Sequence, residues 1–262
     1  MALYQDYPWV SCNKFLDDLR DFALANGWVL DYQGSIGGWN GNVVHIHKGT
    51  SHFSLWVNAD LHSINFIGCT TYSNSLGVNL QTNHSPELTF YDQMLGGGYS
   101  FASSGNSIYF RTTYDGKDYW GALATIVDKI GVWEGGIFII TTMGNQYSFI
   151  NGGTSYNALQ YTLSSWALGN TAGGPYSVMS NGTGMNFNPA PYNAGILPVP
   201  IPIYKRTVAN NALFEPKGFM PGIYTASPGS CYIDKEQISI DGVPHLVASG
   251  WYLPYFLIKL EA

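Results

Sequence analysis

The chain has 262 residues and a formal net charge of −6, and only 11% of it is Asp, Glu, Lys or Arg, against about 25% in an average globular protein. Lys and Arg together number 11, too few to neutralise a run of phosphates, which excludes general nucleic-acid binding. No apolar run reaches the ~18 residues a membrane helix needs, and no charged-then-apolar leader opens the chain, so neither membrane insertion nor secretion is expected.

Aromatic residues make up 15% of the sequence, with 19 Tyr, 8 Trp and 31 Gly. So few charges leave two readings of the surface. Either partner subunits cover much of it, the preferred reading because aromatics concentrate at interfaces, or it is a Tyr-rich ligand-binding face. Cys12, Cys69 and Cys231 form no CxxC pair, which fits neither a disulfide framework nor a thiolate zinc site and suits a reducing cytoplasm.

In chain order, Tyr4, Tyr7 and Trp9 form a short aromatic opening. Ser11 then predicts an N-cap for a helix over Cys12–Asn26, with Phe15, Leu19 and Phe22 on one face, Asp17, Asp18, Arg20 and Asp21 on the wet side, and Gly27 past its end. From Trp28 the period changes to strand. Val43–Lys48 and Phe53–Asn58 alternate across a turn at Gly49-Thr50-Ser51, Ser63–Thr71 is a third strand, and Asn74–Pro86 is loop-like. Tyr99–Thr113 carries two strands about Ser103–Asn106.

Asp115–Phe138 is the stretch the rest is organised around: a turn dipeptide at Asp115-Gly116, the rings of Tyr119, Trp120 and Trp133, and Gly135-Gly136 before an apolar run. It reads as a scaffold hinge, since rings and glycines hold turns in place. Ile137–Thr142 and Gln146–Ile150 are expected to form a hairpin, with a polar loop over 151–160 and a strand over Tyr161–Ala167. Thr171–Pro202 reads as a long irregular connection, with Pro198, Pro200 and Pro202 suggesting an extended polyproline-like arm that contacts a neighbour. Tyr204–Val208, a turn through Glu215-Pro216-Lys217-Gly218, and Ile223–Thr225 follow. A two-residue hairpin at Asp241-Gly242 lies between Ile238–Ile240 and Leu246–Ala248, and Trp251–Leu260 ends the chain as a strand. The expected fold is mainly β, an antiparallel sandwich or barrel-like core with one N-terminal helix. Residues 1–170 form the main domain, 171–203 the connection and 204–262 a small C-terminal β unit of the same or a separate domain.

Three segments carry a family likeness: FLDDLRDFALANGWVL, DGKDYWGALATIVDKIGVWEGGIF and GFMPGIY. The sequence resembles structural proteins of tailed-bacteriophage virions, of the kind that build neck, tail or baseplate. The resemblance implies a non-catalytic virion component that contacts copies of itself and other tail, neck or baseplate proteins. The alternative is a receptor- or carbohydrate-binding tail-tip protein that meets a host surface glycan, with a glycan-degrading enzyme behind both. Candidate interface residues are Tyr119, Trp120, Trp133, Tyr176, Phe187 and Tyr192.

His45 and His47 are the nearest thing to a metal motif, because residues i and i+2 of a strand share a face. Around the axis of a trimer six such imidazoles would gather, an arrangement that some phage tail tips resemble. The plainer reading is two polar positions on a half-exposed strand. His52, His62 and His84 show no spacing that completes a site within one chain, so no metal or other cofactor is expected. Asp115, Asp118, Asp128 and Glu134 are near in sequence but form no paired-carboxylate motif. No GxSxG or P-loop occurs, and Gly96-Gly97-Gly98 reads as a turn.

Overall fold

The structure is a computed structural model that describes residues 2–35, 42–58, 63–76, 81–85, 87–91, 97–114, 117–125, 127–129, 131, 137–142, 155–162, 165–170, 176–178, 199–206, 214–225, 234–248 and 256–261. Its one helix among them is α1 (Cys12–Ala25), preceded by β1 (Tyr4–Tyr7). Strands β2 (Val29–Ser35), β3 (Asn42–Lys48), β4 (Ser51–Asn58), β5 (Ser63–Cys69) and β6 (Leu88–Tyr91) form one antiparallel sheet in sequence order. A second sheet takes β1 beside β7 (Gly98–Ser104), then β8 (Ser107–Tyr114), β9 (Lys117–Thr125), β10 (Ile137–Thr142), β11 (Ser155–Thr162) and β12 (Ser165–Asn170). The third comprises β13 (Tyr176–Val178), β14 (Val199–Arg206), β15 (Phe214–Thr225), β16 (Gln237–Ile240), β17 (Val243–Ala248) and β18 (Phe256–Lys259), in the order β13-β14-β15-β18-β17-β16.

The helix begins and ends as its sequence dictates. The Ser11 hydroxyl accepts from the Lys14 amide at 3.1 Å, satisfying one of the first-turn donors that have no partner within the helix. At the other end Gly27 takes φ 81°, and the amides of Gly27 and Trp28 donate to Leu24 and Ala23 at 3.2 and 3.1 Å. That pair of bonds is a Schellman closure, for which a glycine past the cap is the usual residue. Asp18, placed on the wet side by periodicity, is instead buried. Its carboxylate pairs with Lys14 and accepts from the Tyr99 hydroxyl at 2.5 Å, because the flank of the helix that carries it lies over β7.

Layering follows from strand alternation. Phe101, Ile108, Phe110 and Leu123 of the seven-stranded sheet share a core with Phe15, Leu16, Leu19 and Phe22 of α1 and with Ile46, Phe53, Leu55 and Phe66 of the five-stranded sheet. Phe66 lies parallel to Phe110 at 5.5 Å. The alternate residues Ala102, Tyr109, Trp120, Ala122 and Ala124 face the other way, onto Met220, Ile223, Leu246, Phe256 and Ile258 of the six-stranded sheet. Through β7, β8 and β9 the seven-stranded sheet is therefore a middle layer buried on both faces, and β7 is buried along its whole length. An isolated bridge between Val127 and Phe219 also ties the C-terminal sheet to the main body.

Several sequence readings change. The stretch read as a hinge contributes β9, a nine-residue strand. The expected polar loop over 151–160 contributes β11, which pairs with β10, while Gln146–Ile150 lies outside the described residues. Tyr161–Ala167 is divided between β11 and β12. Of the long connection, Tyr176–Val178 and Val199–Arg206 are strands, and 179–198 lies outside the described residues. Pro200 and Pro202 are tolerated in β14 because β13 pairs only with Ile203–Lys205, leaving the prolines with a single partner, β15, and a register shift between them. Glu215-Pro216-Lys217-Gly218 runs within β15 instead of turning. The Asp241-Gly242 hairpin is present, with φ of 51° and 78°, the two left-handed positions of a type I′ turn.

Candidate metal centre

Gly49 and Thr50 close the β3–β4 hairpin, with Gly49 at φ 60°. A two-residue connection fixes the register, so Lys48 faces Ser51, His47 faces His52 and His45 faces Ser54. Side chains alternate along a strand, which places all three histidines on one face of the sheet. Ile46 and Phe53 point the other way, into the core under α1.

The fourth member arrives through an irregularity. Leu30 pairs with Ile46 and Tyr32 with His45, so Asp31 is an extra residue in β2 with no counterpart on β3. Such a bulge re-aims the side chain it carries. Asp31 Oδ2 accepts from His47 Nδ1 at 2.7 Å and lies 3.6 Å from His45 Nε2 and 3.8 Å from His52 Nδ1. His45 Nε2 and His52 Nδ1 are 3.3 Å apart. The imidazoles of His47 and His52 stack at 4.7 Å, and the Tyr72 ring covers His45 at 4.3 Å.

Burial favours uncharged rings at His45 and His52. Burial, then the neighbouring His52 and His47, push His45 down to about 3. Burial and His47 also lower His52, against a smaller pull upward from Asp31. At neutral pH the approach of His45 to Asp31 is therefore not an ion pair. Ser54 Oγ lies 2.6 Å from His45 Nδ1. In the tautomer that donates there, His45 Nε2 presents its lone pair to the cluster. Cys69 lies opposite His52, and burial pushes its thiol up to about 12, so it is protonated near neutrality.

Asp31, His47 and His52 each offer a ligand atom, and these lie within 4.8 Å of one another. Those two imidazole nitrogens and one carboxylate oxygen suit a borderline divalent ion, and His45 Nε2 lies beside two of the three, Asp31 and His52. Hairpin register sets His52 beside His47, a neighbour that its spacing in the sequence did not suggest. That signal was present in the sequence, as a two-residue turn pairing 48 with 51 necessarily pairs 47 with 52. Nothing in the sequence marked Asp31.

The other singled-out residues gather elsewhere or not at all. Trp120 is buried, edge-on to Phe256 at 5.2 Å and beneath the Arg111 guanidinium at 5.9 Å. Its surface is spent inside the chain, which corrects its reading as an interface ring. Tyr119 and Tyr176 occupy positions in β9 and β13, while Trp133, Phe187 and Tyr192 lie outside the described residues. Asp118 accepts from Thr113 at 2.7 Å and pairs with Arg111 at 3.4 Å. Asp128 takes a left-handed φ of 45°, and Asp115 and Glu134 are outside the described residues. No protein-family model matches the chain, and no curated protein matches it.

Proposed function

We propose that the chain is a non-catalytic structural subunit of a tailed-phage virion (tail, baseplate or neck), acting through protein–protein surfaces in a symmetric assembly with its own copies and other virion proteins. The observation that carries this reading is the state of the sheet edges. Among the described residues all three sheets are open, ending on β2 and β6, β1 and β12, and β13 and β16. An unpaired edge is a template for another chain, and proteins that stay apart usually guard it with Lys or Pro. The edge strand β16, Gln237–Ile240, carries neither and is exposed at alternate positions. Strand addition there needs only backbone groups and a few apolar side chains, which suits a charge-poor sequence.

Immunogold labelling of tailed-phage particles that encode the chain, with light scattering of the purified protein, tests the proposal. Labelled particles and a symmetric oligomer support it. A stable monomer whose antibodies label no particle sinks it.

A further inference from the structure

We propose that Asp31, His45, His47 and His52 hold one divalent transition-metal ion of the zinc class, clamping β2, β3 and β4 together at the edge of the five-stranded sheet. The inference goes beyond the assembly reading and does not depend on it.

Spacing is the first argument. Zinc takes nitrogen ligands at about 2.0–2.1 Å and carboxylate oxygens at about 2.0–2.2 Å, in a tetrahedron whose edges are then roughly 3.3–3.5 Å. Separations of 3.3 Å between His45 and His52, 3.6 Å between His45 and Asp31, and 3.8 Å between His52 and Asp31 lie close to those edges. The latter two are too long for hydrogen bonds. The ligand atoms of His45, His52 and Asp31 thus crowd one point, with the His45–His52 contact the one hydrogen bond among the three, an arrangement in which a cation at that point would replace a single shared proton. The 2.7 Å contact between His47 and Asp31 is shorter than a tetrahedral edge, being a hydrogen bond, and His47 must shift toward His45 to complete the tetrahedron. On binding, the His47 proton moves from Nδ1 to Nε2, the carboxylate draws back, and the ion takes the place of the shared hydrogen. The His47 side chain is 24% exposed, so water can carry that proton.

The surroundings fit a held ion. Ser54 Oγ fixes the His45 ring, as an outer hydrogen bond orients a ligand imidazole. His45 is fully buried and Tyr72 covers it. Three imidazoles disfavour calcium and magnesium, which prefer all-oxygen shells. With four protein donors no coordination position stays open, the pattern of a structural site and not a catalytic one.

The test uses the full chain, stripped with chelator and titrated with zinc(II) by calorimetry and with cobalt(II) by visible absorption. The expected result is one equivalent bound, intense tetrahedral ligand-field bands for cobalt, and a higher thermal midpoint with zinc. His47→Gln, His52→Gln and Asp31→Asn should each weaken zinc by more than about 100-fold, beyond the usual loss on removing an outer-shell partner. His84→Ala, at a histidine outside the cluster, should leave binding unchanged. Far-ultraviolet dichroism of each chelated variant checks its fold, and His45→Gln gives an independent reading if one variant does not fold. Octahedral cobalt spectra, zinc affinity equal in the variants and the parent, or a response to calcium in place of zinc would each overturn the proposal.

Discussion

Gly121 is the sharpest test of the sandwich. It faces Phe110 across β8 and β9, and the phenyl ring lies over the space a side chain would take. A Cβ built on Gly121 would sit 2.8 Å from Phe110 Cε1 and closer still to Cζ and Cε2. Carbon atoms prefer about 3.5–4.0 Å, so the ring must retreat by about 1.5 Å. It has little room, being fully buried, parallel to Phe66 at 5.5 Å and edge-on to Phe15 at 6.0 Å. Two effects oppose each other in Gly121→Ala. Reduced backbone freedom in the unfolded chain favours alanine by roughly 0.5–1 kcal/mol, while overpacking costs about 1–3 kcal/mol. Sterics should win by about 1–2 kcal/mol, lowering the thermal midpoint by about 2–8 °C. Adding Phe110→Leu should recover part of that loss, giving a coupling of at least about 0.5 kcal/mol in a double-mutant cycle. Urea denaturation of the four proteins measures it. A Gly121→Ala protein as stable as the parent, or an additive cycle, would refute the packing of the two sheets described above.

Other consequences are as direct. Ser11→Ala removes the acceptor for the Lys14 amide and should cost about 1 kcal/mol in denaturant titrations. Tyr99→Phe takes a donor from the buried Asp18 carboxylate, leaves Lys14 as its partner, and should cost about 1–3 kcal/mol by the same assay. Gly242 has open space where a Cβ would sit but φ 78°, so Gly242→Val should destabilise through backbone strain alone, by about 1–2 kcal/mol. Burial raises the Asp118 carboxyl above its ordinary value, with Arg111 offsetting part of the effect. The folded protein therefore binds that proton more tightly than the unfolded chain, and the stability it contributes, complete below the ordinary carboxylate pKa, is lost as pH rises through the raised one. Asp118→Asn should remove that component, seen as a stability difference from the parent that shrinks with pH from about 3 upward.

Local signals with one physical reading were legible in the sequence. Ser11, Gly27 and Asp241-Gly242 each meet a stereochemical requirement that few residues satisfy, and α1 and the β16–β17 hairpin lie where they place them. Strand β9 was hidden because the middle sheet is buried on both faces there. Trp120, Ala122 and Ala124 are apolar toward one sheet while Leu123 is apolar toward the other, so no polar alternation marks it. Strand β11 was hidden for the opposite reason, its Ser, Asn and Gln reading as loop. Three of the four site residues leave a trace in the sequence: His45 and His47 by spacing, and His52 by the register a two-residue hairpin imposes. Asp31 does not, because a bulge in β2 delivers it and no residue type announces a bulge.

The central claim, one ion among Asp31, His45, His47 and His52, is met most directly by crystals of the full chain grown with zinc(II) and measured on both sides of the zinc absorption edge. The account predicts one anomalous peak within about 2.0–2.2 Å of Asp31 Oδ2, His45 Nε2, His47 Nδ1 and His52 Nδ1, with His47 carrying its proton on Nε2. No peak there, with the His47 to Asp31 hydrogen bond intact at saturating zinc, would contradict it.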